Sequence, residues 1–310
     1  MAGAYAGRMA HGTAVPAGTC LIAGCGYTGA RLARRLAGSG PVLALVRSPE
    51  SAAALAASGL PAQVVDLEGT GAFQVPADLA SVVYLAPPAS QGEGDPRLLR
   101  FLEGLGGARP QVLVYTSTTG VYGDTGGLPV DEASPTAPAD GASRRRLAAE
   151  DSASTWCAGH GVRCVILRVA GIYGPHRLPL ERLRGGEPVL RPEASGPGNR
   201  IHVDDLVAAC EAALDRPVSG VVNVSDGDHR SIGAFLELVA HLAGLPAPRR
   251  VSMAEARREL SPGMLAFLQA SRLVLNRRLR EDLGVSLRYA DPDAGVRASL
   301  REMGISTEGR

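Results

Sequence analysis

The chain lacks strong charge of either sign, paired cysteines and long apolar runs, and each shortage excludes a class of protein. Lys plus Arg number 32 and Asp plus Glu 31, for a net charge of +1. Such a balance offers no basic excess to hold nucleic acid or an anionic membrane surface. The five cysteines, Cys20, Cys25, Cys157, Cys164 and Cys210, form no Cys-x-x-Cys pair and no Cys/His metal spacing, so neither a disulfide framework nor a metal site is expected. A reducing, cytoplasmic setting follows. Apolar stretches run for only a few residues, far short of a membrane span. Residues 1–18 lack the apolar core of a secretory signal and read as a flexible tail.

What is present begins at Thr19. The run Thr19-Cys-Leu-Ile-Ala-Gly24-Cys-Gly26-Tyr-Thr-Gly29 joins an apolar stretch to a glycine loop, and the loop opens into a helical pattern carried by Leu32, Arg35 and Leu36. A helix start presents unpaired N–H groups and a partial positive charge. Glycines let that backbone approach a pyrophosphate. With 39 glycines in the chain, the bare spacing would arise by chance about 0.6 times, so its strand–helix context carries the argument. Gly24, Gly26 and Gly29, with Tyr27 and Thr28 at the helix start, are the expected phosphate-binding residues.

Strand-like runs fall at 20–23, 41–46, 62–66, 81–85, 111–116, 163–167 and 220–224. Helical patterns at 28–38, 49–58, 95–106, 143–159, 204–215 and 231–243 lie between or after them. This alternation predicts an α/β fold with a doubly wound parallel sheet, whose ligands bind at the carboxyl ends of the strands. The expected division is a dinucleotide-binding domain over 19–177, completed by 199–225, and a smaller α+β substrate lobe from 178–198 and 226–310. Within it, the Gly/Pro-rich stretch 185–200 reads as a long loop, and 249–253, 261–264 and 272–276 as short elements.

Residues after each strand then become candidates. Arg47, where an NAD-selective domain places an acid, favours the 2′-phosphate of NADP, with NAD as the alternative. Asp66 ends the third strand and is placed to meet the adenine amino group. Ala86 and Pro87 are small and rigid where the cofactor ribose would pass. Gly174-Pro175 follows the sixth strand, where a backbone amide would meet the nicotinamide carboxamide. Asp204 reads as a helix N-cap, and Cys25 as a small residue tolerated inside the loop.

The segments Val64-Val-Asp66-Leu, Ser117-Thr-Thr-Gly-Val-Tyr-Gly123, Arg168-Val-Ala-Gly-Ile-Tyr-Gly-Pro175 and Arg200-Ile-His-Val-Asp-Asp-Leu206, taken with the glycine loop, resemble the extended short-chain dehydrogenase/reductase superfamily. The similarity is to its NAD-dependent epimerase/dehydratase group, over roughly residues 19 to 303. Ala86-Pro-Pro and the tail Leu275-Asn-Arg-Arg-Leu-Arg-Glu-Asp-Leu-Gly284 are similar to the YeeZ-like branch. The resemblance implies a Rossmann-type sheet and NAD(P)-dependent oxidoreductase, epimerase or dehydratase chemistry. Its substrate would be a small hydroxyl or carbonyl compound, with a sugar or nucleotide sugar among the possibilities. It also implies a homodimer built on helices 95–106 and 143–159.

The same resemblance implies a Ser/Thr, a Tyr and a Lys at the reaction centre. Thr118 takes the Ser/Thr position. Registered on Leu147-Ala-Ala-Glu150, Ala142 stands at the Tyr and Arg146 at the Lys; two residues earlier the pair would be Asp140 and Arg144. Neither register restores a Tyr. Arg146 can hold a ribose or phosphate, but it is a poor proton donor near neutrality. The proton would then pass through Tyr122, Tyr173, His176 or a water on Thr118. A non-catalytic NAD(P)-binding sensor or scaffold is the alternative.

Overall fold

The computed structural model describes residues 15–69, 73–260, 265 and 271–306. In chain order its strands and helices are β1 (Thr19–Ala23), α1 (Tyr27–Leu36), β2 (Val42–Val46), α2 (Pro49–Ala56), β3 (Ala62–Val64), β4 (Leu79–Tyr84), α3 (Pro96–Gly104), β5 (Val112–Thr118), β6 (Pro129–Val130), α4 (Gly141–His160), β7 (Arg163–Val169) and β8 (Gly171–Tyr173). There follow α5 (Leu180–Arg184), β9 (Val189–Leu190), β10 (Arg200–His202), α6 (Val203–Asp215), β11 (Gly220–Val224), α7 (Ile232–Ala243), β12 (Arg250–Val251), α8 (Met253–Glu259), β13 (Leu273–Val274), α9 (Arg277–Glu281) and α10 (Pro292–Glu302).

Seven strands form one sheet in the order β11-β7-β5-β4-β1-β2-β3, parallel throughout. Continuous apolar strands require cover on both faces, and both are covered. On one face Leu32, Leu36, Leu206 and Cys210 of α1 and α6 join Ile22, Val114 and Leu167. On the other, Leu98, Phe101, Ala149 and Ala153 of α3 and α4 meet Leu21, Tyr84 and Leu113. The chain leaves β1 toward β2 on one side and returns to β4 on the other, which opens a crevice at the carboxyl ends of β1 and β4.

Outside this sheet, α5, α7, β9 and α10 share a separate apolar cluster around Phe235, Val239 and Val296. Short parallel pairs β8–β10, β9–β12 and β6–β13 tie these segments together. The stretch 185–200 is more ordered than a long loop: it carries β9 and a short 3-10 turn at Pro192–Ala194. Of the short elements expected beyond 225, 261–264 lies outside the described residues. The tail at 1–14 lies outside them too.

One strand end and one helix start differ from expectation. The strand over 62–66 stops at Val64, and Asp66 turns the chain by accepting from Glu68 N at 2.9 Å. The N-cap of α6 is His202, whose Nδ1 accepts from Asp204 N at 3.2 Å. Asp204 therefore lies inside the first turn, where its charge still favours the helix dipole.

Candidate active site

The glycine loop owes its shape to two different demands. Gly24 has φ +80, and a Cβ there would collide with the backbone of Ala86. This lets β1 and β4 close at the base of the crevice. Gly26 has nothing within 4 Å of a built Cβ. It is the N-cap of α1 and supplies no side-chain cap bond. No side-chain cap bond occupies the first-turn N–H groups of α1, as an anion site requires.

Beside that helix start lies a cavity of about 240 Å³ lined by Gly24, Val46, Arg47, Asp66, Ala86, Pro87 and Arg97, among others. Five residues expected on the cofactor therefore meet in one place. Arg47 is exposed and, among the described residues, carries no ion-pair partner. Asp66 directs Oδ1 to its own turn. Sequence reasoning missed the wall formed by Glu68 and Arg97. Their ion pair is held in place by Arg97 Nη1, which donates to Pro87 O at 3.1 Å. No spacing rule marks a pair 29 residues apart.

Tyr27 is not among the residues that line this cavity. Its hydroxyl donates to Pro175 O at 2.8 Å, tying the glycine loop to the turn after β8. Proline has no N–H to offer a carboxamide, and its carbonyl is taken by Tyr27. Pro175 thus contributes position. Cys25 is buried, and burial pushes its thiol up to about 11, so it is inert at neutral pH.

Thr118 is the last residue of β5. Its Oγ1 accepts from Gly120 N at 3.1 Å and caps a 3-10 turn over Thr119–Tyr122. That turn packs against the start of α4: a Cβ on Gly120 would collide with Ser143 Oγ and sit 3.3 Å from Thr118 Oγ1. Thr118 and Ser143 thus crowd one point, a pairing that a motif aligned on Tyr-x-x-x-Lys does not reveal. Ser143 in turn donates to Asp140 Oδ2 at 2.7 Å, while its N–H donates to Oδ1 at 2.8 Å. Those bonds outweigh burial and hold the Asp140 carboxyl below its usual range. Ala142, at the Tyr position, is exposed.

Arg146 reaches inward from α4. Its Nη1 donates to Thr116 O at 2.7 Å, Tyr115 Oη at 3.2 Å and Ala86 O at 3.3 Å. A permanently charged group is thereby fixed where β4 and β5 end. Lysine cannot be supplied from elsewhere, because the chain contains none; all 32 Lys/Arg positions are arginine.

Tyr122 is 1% exposed. Its hydroxyl donates to Asn223 Oδ1 at 2.7 Å, and Arg168 Cζ stands 4.8 Å from its ring centroid. Burial raises its pKa. This side chain is committed to the core, where it joins β5 to β11, and is not free to exchange a proton at Thr118. Tyr173 is also buried, with its hydroxyl unpartnered and its pKa driven far up by burial. His176 is exposed, and its N–H lies 3.2 Å from Met303 Sδ past the end of α10. Below the site, Glu150 receives Ser117 Oγ and a bidentate Arg168, with Nη2–Oε2 at 2.8 Å.

A parallel sheet with a glycine loop, an uncapped helix start and a cavity at the strand crossover defines a dinucleotide-binding α/β protein. The profile of the NAD dependent epimerase/dehydratase family matches residues 20–225, and the chain belongs to that family. A UDP-glucose 4-epimerase of Corynebacterium glutamicum is 24% identical over 58% of this chain and 59% of its own. A 3-diazoavenalumate denitrifying reductase of a Streptomyces species is 30% identical over 39% and 41%. The matched region thus spans less than two thirds of either relative.

Among solved structures, a conserved Silicibacter pomeroyi protein of unknown function is 32% identical, with TM-score 0.81 over 92% of this chain and 99% of that one. The UDP-glucuronic acid 4-epimerase of Bacillus cereus, solved in complex with NAD, shares the fold at 16% identity, with TM-score 0.72 over 92% and 99%. No described helix is long and apolar enough to cross a membrane, and no described cluster of His, Cys, Asp and Glu could hold a metal.

Proposed function

We propose that the chain is an NAD(P)-dependent redox enzyme that acts on a hydroxyl or carbonyl carbon of a small molecule, with nucleotide sugars among the compounds to test. The cavity beside the α1 start carries this reading, since Gly24, Arg47, Asp66, Ala86 and Pro87 line it together. The α1 N–H groups would hold a diphosphate, Asp66 an adenine and Arg47 a 2′-phosphate. That last assignment favours NADP over NAD. A nicotinamide, when bound, supplies or accepts a hydride.

The chain's own part is orientation and charge. Arg146 keeps a fixed positive charge at the ends of β4 and β5, where it steadies a ribose hydroxyl or an oxyanion. Thr118 Oγ keeps its own proton to donate, because it accepts from Gly120 N; that proton can orient a substrate oxygen. No tyrosine hydroxyl is placed for proton exchange beside it among the described residues, so the proton passes to and from water. Such a site suits slow reactions or acceptors that need little acid assistance.

Titration of NADPH and NADH fluorescence, followed by absorbance with an acceptor panel and by chromatography of nucleotide sugars, tests the reading. Binding together with conversion of any panel member is expected. A second reading, a non-catalytic NAD(P) sensor, is favoured by the exposed Ala142. It wins if both cofactors bind and no compound is converted. Failure of both cofactors to bind overturns both readings.

A further inference from the structure

The turn after β8 is built onto the face of Tyr27. Gly174, at φ +155, has no room for a Cβ: one would lie 2.6 Å from the Tyr27 hydroxyl and 2.7 Å from Val203 Cγ1. Pro175 receives the Tyr27 hydroxyl at 2.8 Å. His176 follows at φ +60, the one non-glycine residue with positive φ among those described. Arg177 N closes the turn on Gly174 O at 3.0 Å. A non-glycine residue in the left-handed region costs free energy that surrounding contacts must offset. Here the strained turn delivers Arg177 onto Tyr27, with Cζ 4.3 Å from the ring centroid.

Two arginines contact that ring, and their electrostatic situations differ. Arg31, at 5.5 Å, is neutralised by Asp204 at 3.3 Å and by Glu302. Arg177 is exposed and has no carboxylate partner among the described residues. Its charge is held in place by stacking alone. Tyr27 is also the first residue of α1, so an unpaired guanidinium stands beside an uncapped helix start. The guanidinium and the partial charge of the helix start are both positive, and the nearby carboxylates of Asp204 and Glu302 are engaged by Arg31.

We propose that Arg177 is a clamp for the cofactor diphosphate, presented by the Tyr27 ring over the N-terminus of α1. This rests on the cofactor reading above and adds to it a binding residue from outside the glycine loop. A guanidinium offers a forked set of donors that matches phosphate oxygens. The tyrosine ring limits the rotamers it must give up. Because the diphosphate is common to NAD and NADP, the clamp tightens both and does not select between them. Arg47 does that separately.

Calorimetric titration of the full chain with adenosine, ADP-ribose, NADH and NADPH tests the clamp. Arg177→Gln should weaken the three diphosphate ligands by about tenfold or more while leaving adenosine unchanged, since a charge-assisted contact carries at least that much. Tyr27→Ala should lose a similar factor, and the double variant little beyond either single one, because both changes remove one arrangement. Tyr27→Phe keeps the shelf and should retain most of the affinity. The thermal midpoint of the Arg177→Gln protein without ligand should match that of the unaltered chain.

Unchanged ADP-ribose affinity in Arg177→Gln, with tight binding by the unaltered protein, overturns the clamp and leaves the cofactor reading intact. Equal losses for adenosine and ADP-ribose also overturn it. If the unaltered chain binds none of the four, the cofactor reading falls and the clamp with it.

Discussion

Residue identity decides which chemistry this site supports. In the proposed function Arg47 and Arg146 are cations with separate tasks, and neither substitutes for a tyrosine acid. The place of Arg47 in the cavity was legible in the sequence because it follows a strand end, where this fold meets its ligand. The approach of Ser143 and Thr118 to the same side of Gly120 was not, since it depends on how α4 packs against the turn over 119–122. Tyr122 misled for the same reason: its motif position is conspicuous, while its hydroxyl partner Asn223 is 101 residues away. Arg47→Asp should weaken NADPH by about tenfold or more, through loss of a charged hydrogen bond and gain of repulsion. NADH should change much less. Fluorescence titration of both cofactors checks this, and equal losses would remove the assignment to the 2′-phosphate.

The elements around the site show how one short loop can serve folding and binding through different residues. Gly24 is needed by the fold, as its positive φ and its contact with Ala86 leave no alternative. Gly26 faces open space, and in the proposed function it is the ligand that needs it. Gly24→Ala should therefore lower the thermal midpoint by several degrees. Gly26→Trp should leave the midpoint of the ligand-free protein nearly unchanged and abolish its rise with added cofactor. Equal destabilisation by both would contradict this division.

A second element-scale test concerns α4, which Glu150 anchors to β5 and β7 through Ser117 and Arg168. Glu150 and Arg168 are 3% and 6% exposed, so removing one charge strands the other. Glu150→Gln should cost about 3–5 kcal/mol in urea unfolding. Glu150→Leu combined with Arg168→Leu should cost less than the two single changes added together.

At the scale of the whole molecule, the sheet and its helices were readable because parallel strands are continuous apolar runs and their helices repeat every 3.6 residues. The segments beyond 225 were harder, since their strands are only two residues long, as in β12 and β13, and hold no periodicity. They join the main sheet through Leu279, Leu283 and Val285, which pack into the same apolar cluster as Val222 and Val224, and through polar contacts as well. Asp226 leaves β11, donates its N–H to Arg200 O at 2.7 Å and packs near Tyr173, Asp228 and Arg230. Burial pushes its carboxyl up to about 7, against the opposing pull of Arg200.

The sign follows from linkage. The folded chain holds a proton on Asp226 that the unfolded chain releases near pH 4. Stability from this group is therefore full below pH 4 and declines as pH rises to about 7. His202 acts oppositely: burial lowers it to about 4, so its contribution is full above about 6.5 and is lost on acidification. Across the interval they share, the two trends offset, and the unaltered protein should show a flattened profile. Asp226→Asn keeps an oxygen to accept from Asp228 N, now at 3.0 Å from Oδ1, and removes the titration. Relative to the unaltered chain, the variant's thermal midpoint should rise by several degrees between pH 5 and pH 8, while the acid-side loss from His202 remains. A difference that stays constant across this range would show that Asp226 is already ionised in the folded protein at pH 5.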